Sequence, residues 1–183
     1  MDERQAVLLT PRLRLRAFEV TDAPAVQRLA GDFAIADTTL SIPHPYPDGM
    51  AEAWLASLAT AFAEGQQAVY AITDRRNGEI VGAIGLTLRR EHDRAELGYW
   101  IGRPFWGRGF ATEAARAMLE FGFHMLDLSR IYAGHFARNP ASGRVLTKIG
   151  MRPEGTARGH VKRWGRYEDL VLYGILREEF EAP

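Results

Sequence analysis

The sequence predicts a mixed α/β fold: one domain over 1–183, built on a central twisted mixed sheet of about six to seven strands with helices on both faces. Three observations carry that prediction. Residues 68–73 and 79–88 are strand-like runs joined by a turn containing Asn77-Gly78, the signature of an antiparallel hairpin. Residues 96–101, a helical stripe opening at Phe110 and the run 130–137 then follow as strand, helix, strand. That order demands a crossover, so these two strands are expected to lie parallel and adjacent. A capped helix at 141–149, closed by Gly150, and strands at 151–156 and 169–176 complete the pattern.

Taken in order, Leu13, Leu15 and Ala17 alternate with Arg12, Arg14 and Arg16, a half-buried strand whose arginines read as a solvated face. Thr21 and Asp22 stand as caps before Ala23-Pro24, starting a helix that runs through Ala30. Residues 32–49 have no period; Pro43, Pro45 and Pro47 make their end a stiff loop, on which His44 and Tyr46 either line a pocket or merely connect helices. Residues 50–64 carry Trp54, Leu55, Leu58 and Phe62 at helical spacing, ended by Gly65, and 89–93 form a charged turn. A basic, aromatic loop at 157–168 is expected to join the last two strands.

The centre of the chain is 96–126. After its apolar strand, Gly107-Arg108-Gly109 lacks a Cβ at two of three positions, so the backbone can take positive φ and let a ligand lie against its amides. Phe110, Ala114, Met118, Phe121 and Met125 then form a helical stripe, with Thr112 and Glu113 in the first turn, where hydroxyl and carboxylate suit the orphan amides. Strand, glycine turn and helix start make a phosphate cradle. A nucleoside triphosphate loop needs Lys and Ser or Thr where Phe110 and Ala111 stand, and a dinucleotide loop has three glycines opening a βαβ unit usually near the N-terminus, whereas this one starts past the middle of the chain. A pyrophosphate held by backbone amides without a metal remains, and coenzyme A fits it.

Composition narrows the chemistry further. Lys plus Arg total 23 and Asp plus Glu 23, so no overall field holds a nucleic-acid backbone, and nucleic acid is not an expected partner. With no cysteine, disulfides, thiolate metal sites and a cysteine nucleophile are excluded. Histidines 44, 92, 124, 135 and 160 have no metal spacing, so no metal is expected. The charged start MDERQ and the lack of a membrane-length apolar run predict a soluble cytoplasmic protein with no membrane partner.

The run AELGYWI followed by PFWGRGFATEA resembles the acyl-coenzyme A signature of the GNAT superfamily of N-acetyltransferases, and Trp106 before the first glycine is similar to its RimJ/RimL-like branch. Asn139-Pro140-Ala141-Ser142, then Lys148-Ile149-Gly150-Met151, and the opening LTPRLRLRAF resemble the same branch in the same order. The resemblance implies acetyl-coenzyme A as co-substrate, a primary amine as acceptor (a protein N-terminus or a small molecule), and direct transfer in a ternary complex. It also implies that the strands at 96–101 and 130–137 splay to admit the pantetheine arm. A homodimer follows only by analogy.

On that footing the cofactor residues are Trp100, Ile101, Trp106, Gly107, Arg108, Gly109, Phe110, Ala111, Thr112, Asn139 and Ser142. Within the set, Arg108 is the favoured phosphate cation ahead of Arg103 and Lys148, Trp106 packs the loop, and a backbone amide near Trp100 or Ile101 is the oxyanion donor. Asn139 is a pantetheine ligand or an ordinary helix cap. Glu96 is the candidate base, sharing one strand face with Gly98 and Trp100; its alternatives are an arginine pair, a plain solvated carboxylate near the strand end, or a water acting as base in its place. The family's usual tyrosine acid is replaced by Leu146, leaving Ser142 as the available hydroxyl, and its usual loop Gln or Arg is Pro104. Acceptor candidates are His44, Tyr46, Glu96, Trp100, Trp164 and Tyr167, the last two within a basic cluster that also reads as a solvated hairpin. Two other functions fit the residues: a coenzyme A sensor without turnover, and a longer-chain acyltransferase with its tail cavity beside Tyr99 and Trp100.

Overall fold

The computed structural model describes residues 5–181; the charged start Met1–Arg4 lies outside them. One sheet of eight strands runs β1 (Leu8–Leu9), β2 (Leu13–Arg16), β3 (Gln67–Asp74), β4 (Ile80–Arg89), β5 (Arg94–Ile101), β6 (Arg130–Phe136), β8 (Arg166–Leu176) and β7 (Arg152–Arg163) in spatial order. All neighbours are antiparallel except β5 and β6, the pair that the crossover predicted to be parallel. Among the described residues six α-helices accompany it: α1 (Ala23–Ala30), α2 (Phe33–Ala36), α3 (Met50–Ala63), α4 (Phe110–Glu120), α5 (Pro140–Lys148) and α6 (Arg177–Glu181).

The core lies mainly between the sheet and α4. Leu15, Tyr70, Ile72, Leu86, Leu97, Met118, Leu119 and Ile131 are buried there in one cluster, since alternate strand residues face the apolar stripe of the helix. A smaller cluster on the opposite side packs Val26 of α1 against Ala51 and Leu55 of α3, with Tyr46, Trp54 and Trp100 half-buried against it.

Several expectations change. The basic loop at 157–168 is mostly strand: β7 and β8 continue as a long hairpin whose turn is Trp164-Gly165, both at positive φ (50° and 77°). The loop at 32–49 begins with the short helix α2, capped by Asp32 through Ala34 N. Arg16 and Asp22 form a two-pronged ion pair at 2.7 and 2.9 Å, so Asp22 is a buried partner of Arg16 rather than a cap for α1. After α4 the helix widens, with Leu126 N donating to Phe121 O five residues back. That wide turn buries Phe121, Gly122 and Phe123 and puts Met125 outside at 67% exposure, against the helical stripe expected to reach it.

Candidate functional site

β4 pairs with β5 along its full length, from Arg94 to Ile101. β6 pairs with β5 at only three positions: Arg94 with Arg130, Ala95 with Ile131, and Glu96 with Tyr132. Beyond Glu96 and Tyr132 the two strands part, and residues 97–101 have no strand partner on that side. Backbone groups so exposed are ready to bond a ligand that enters the gap. Alternation gives the gap two sides. Leu97, Tyr99 and Ile101 face the cluster under α4, whereas Glu96 and Gly98 are exposed on the side of α1 and α3, where Trp100 packs.

The glycine turn follows β5. Gly107 and Gly109 sit at φ 73° and 78°, as the sequence required, and a Cβ at Gly107 would meet nothing within 4 Å, so the cradle is open. Gly109 is the N-cap of α4 and brings no capping side chain, which leaves the first-turn amides of Phe110, Ala111 and Thr112 for an anion. Trp106 packs the loop, its indole Nε1 donating to Ile101 O at 2.5 Å while the ring stays half-exposed. The Arg108 guanidinium stands 5.5 Å from the Phe105 ring and makes no ion pair within 4.0 Å among the described residues, although its charge acts on Asp74; Arg103 is engaged with Asp32 at 3.9 Å.

Glu113 does not cap its own helix. Its carboxylate accepts from Thr10 Oγ1 (2.6 Å), Arg12 N (2.8 Å) and Arg12 Nε (2.6 Å). Arg12 also donates to Arg108 O at 2.8 Å and stacks over the Phe110 ring at 5.0 Å. The arginine read as part of a solvated face thus clasps the glycine turn to the first strands of the sheet. Burial raises the Glu113 carboxyl, but the bonds from Thr10 and Arg12 outweigh it and hold the group below its ordinary value. The sequence signal was a Thr-x-Arg ahead of a strand and a glutamate in a distant helix, which nothing local connects.

Across the gap, Asn139 caps α5 by accepting from Ser142 N at 3.4 Å. Ser142 Oγ lies 2.8 Å from the Tyr99 hydroxyl, which joins β5 to α5 over the opening. Burial pushes the Tyr99 phenol up to about 12, with the Ser142 bond pulling weakly the other way. The sequence offers Tyr99 only as a cavity wall; alternation puts it on the correct side, but no local pattern pairs it with a helix that starts about forty residues later. Leu146, at the tyrosine position of the family, is fully buried.

On the other side, Glu96 is exposed at the last paired position and has no hydrogen-bond or ion-pair partner among the described residues, so the arginine-pair alternative does not hold. His44 and Trp164 both meet Phe33, at ring separations of 5.2 and 5.7 Å. Arg163 stacks on Trp164 at 4.2 Å and donates to Ala36 O (2.7 Å) and Ile42 O, docking the hairpin tip on α2 and the proline loop. Arg138 adds bonds to Asp37 (2.8 Å) and Glu168 (2.9 Å). Tyr46 packs in the α1–α3 cluster, and burial, with Glu52 nearby, raises its phenol. Tyr167 stands apart from Trp164's cluster, 72% exposed, with Lys162 over its ring. Among the described residues no three His, Cys, Asp or Glu side chains gather as a metal site, and no helix is long and apolar enough to cross a membrane.

The match of residues 12–152 to the acetyltransferase (GNAT) domain model decides the family. The chain belongs to the GNAT acetyltransferases. An uncharacterized N-acetyltransferase, p20, of Bacillus licheniformis is 31% identical over 175 residues, covering 94% of this chain and 97% of that protein. The [ribosomal protein uS5]-alanine N-acetyltransferase of Escherichia coli is 28% identical over 134 residues, covering 72% and 69%. The fold superposes on Mycobacterium smegmatis RimJ, solved with a coenzyme A disulfide, at a TM-score of 0.87 and 23% identity, covering 98% of this chain and 91% of RimJ. These relatives are consistent with the RimJ/RimL-like branch of the GNAT family.

Proposed function

We propose that this GNAT protein, acting as one catalytic domain over its whole length, transfers the acetyl group of acetyl-coenzyme A to a primary amine. The observation that carries the reading is the three-pair ladder between β5 and β6, opening into a gap beside a turn whose two glycines sit at positive φ. The first-turn amides of α4 and the Arg108 guanidinium suit the pyrophosphate, and the unpaired edge of β5, with Trp100 and Ile101 at its end, suits the pantetheine arm and the oxyanion. Bound there, the thioester supplies an already activated acyl group. Asn139, as well as capping α5, has an amide nitrogen free to bond the arm.

The chain's remaining work is proton handling and orientation. Glu96, two residues past the start of β5 and with no partner for its carboxylate among the described residues, is the group available to take a proton from the incoming ammonium, directly or through water. Ser142 is the hydroxyl available to the leaving sulfur. The acceptor lies on the α1–α3 side, against Glu96, Gly98 and Trp100, under the cover of His44 and Trp164; Tyr46 supports that wall from the core, and Tyr167 extends it only for a long acceptor. A protein N-terminus, as the name of the uS5 relative suggests, and a small amine both satisfy this chemistry.

The test is release of free coenzyme A from acetyl-coenzyme A, read with a thiol reagent over a panel of N-terminal peptides and small amines; the chain has no cysteine to add background. Release above the hydrolysis blank with one acceptor class is expected. Coenzyme A binding without release from any acceptor favours the sensor, and the absence of binding rejects both.

A further inference from the structure

We infer that Tyr99 is a positioning residue for Ser142, holding the serine hydroxyl with its proton turned toward the gap between β5 and β6. The inference rests on the transferase reading above. Tyr99 lies where β5 has lost its β6 partner, and its hydroxyl, 2.8 Å from Ser142 Oγ, has as its only other acceptor among the described residues the Ser142 carbonyl at 3.4 Å. Ser142 Oγ in turn has no other partner among the described residues. A phenol is a much stronger acid than an alkyl hydroxyl, so in this pair Tyr99 donates and Ser142 Oγ accepts. The serine proton is then left without an internal acceptor and is available to a group entering the gap.

Tyr99 itself is not the proton source. With its phenol raised to about 12, it stays protonated through the working range and acts as a fixed donor. The step balances without it. A bond forms from the amine nitrogen to the acyl carbon, and the carbon–sulfur bond breaks with its electron pair on sulfur. Ser142 gives its proton to the sulfur and takes back, through solvent, the proton the amine gives up. Fixing the serine rotor before reaction removes an orientational cost from that transfer.

Tyr99→Phe keeps the ring and removes only the hydroxyl. Using the acceptor found active in the release assay, kcat is expected to fall about tenfold, the size of one oriented hydrogen bond. KM for acetyl-coenzyme A and the calorimetric Kd of coenzyme A should stay within about twofold, because no uniform binding is lost. The double variant Tyr99→Phe/Ser142→Ala should be no slower than Ser142→Ala alone, as for residues acting as one unit. Unchanged kcat in Tyr99→Phe overturns the inference. So do losses that multiply in the double variant, or a fall in coenzyme A affinity large enough to account for the rate. Wild-type protein that binds coenzyme A and releases none from acetyl-coenzyme A rejects the transferase reading itself, and the inference falls with it.

Discussion

The two sides of β5 are built in opposite ways. Toward α4 and α5, the proposed cofactor side is mostly backbone, drawn from the contiguous run through Ile101, Gly107, Gly109 and the first turn of α4. Toward α1 and α3, the proposed acceptor side is mostly side chains, brought together by Arg163, Trp164, Phe33, His44 and Arg138 from segments far apart in the chain. Backbone amides at a helix start recognise a phosphate whatever side chains surround them, so one half of the site is generic. The other half is adjustable, because hairpin tip, short helix and proline loop can each change without touching the sheet.

If the halves are separable, single substitutions should act on one partner only. The largest effect is expected from Glu96→Gln at the apex of the gap. Removing a general base lowers kcat on the order of 100-fold or more, with coenzyme A affinity unchanged by calorimetry. A change in that affinity would mean that Glu96 serves both halves. Next comes Arg163→Ala, which leaves the Ala36 and Ile42 carbonyls without their donor and releases the hairpin tip. Losing charged bonds of this kind costs on the order of 2 kcal/mol where they order a binding surface, so KM for the acceptor should rise roughly 30-fold. KM for acetyl-coenzyme A should not follow. The converse is Arg12→Ala, which unclasps the glycine turn: KM for acetyl-coenzyme A should rise about tenfold, with the acceptor KM unmoved. Equal rises for both substrates in either variant would break the division.

The same contrast explains what the sequence disclosed. The order of strands and helices from β3 to α5, the parallel pair and the positive-φ glycines were legible, because each depends on residues within a few positions of one another. The eighth strand was not, since Leu8–Leu9 is too short to carry a period. Nor was the extension of the last two strands through 157–168. Its outer faces bear arginines, lysine and glycines, so it lacks the apolar alternation that marks a half-buried strand, and the long-range docking of Arg163 on Ala36 and Ile42 fixes its tip. The roles of Arg12 with Glu113 and of Tyr99 with Ser142 share that cause: each pair links a residue in or just before a strand to a helix across tens of residues, and only packing joins them.

The smallest predicted effect isolates the clasp that joins the cofactor turn to the rest of the sheet. Thr10 and Arg12 hold the Glu113 carboxyl below its ordinary value of 4.5 in spite of its burial. A group with a lowered folded pKa gives its full stabilisation above the unfolded value and loses it as pH falls through the folded one. The clasp should therefore be intact at pH 5 and above and weaken progressively below 4.5. Gln at this position keeps the size of the side chain and cannot titrate. Over a descent from about pH 5 to about pH 3, the unfolding midpoint of the wild type should drop a few degrees more than that of Glu113→Gln, the scale expected for about 1 kcal/mol in a domain of this size. The other carboxylates titrate alike in both proteins, so parallel curves would mean that the clasp holds the turn in geometry alone and that its charge contributes nothing to the fold.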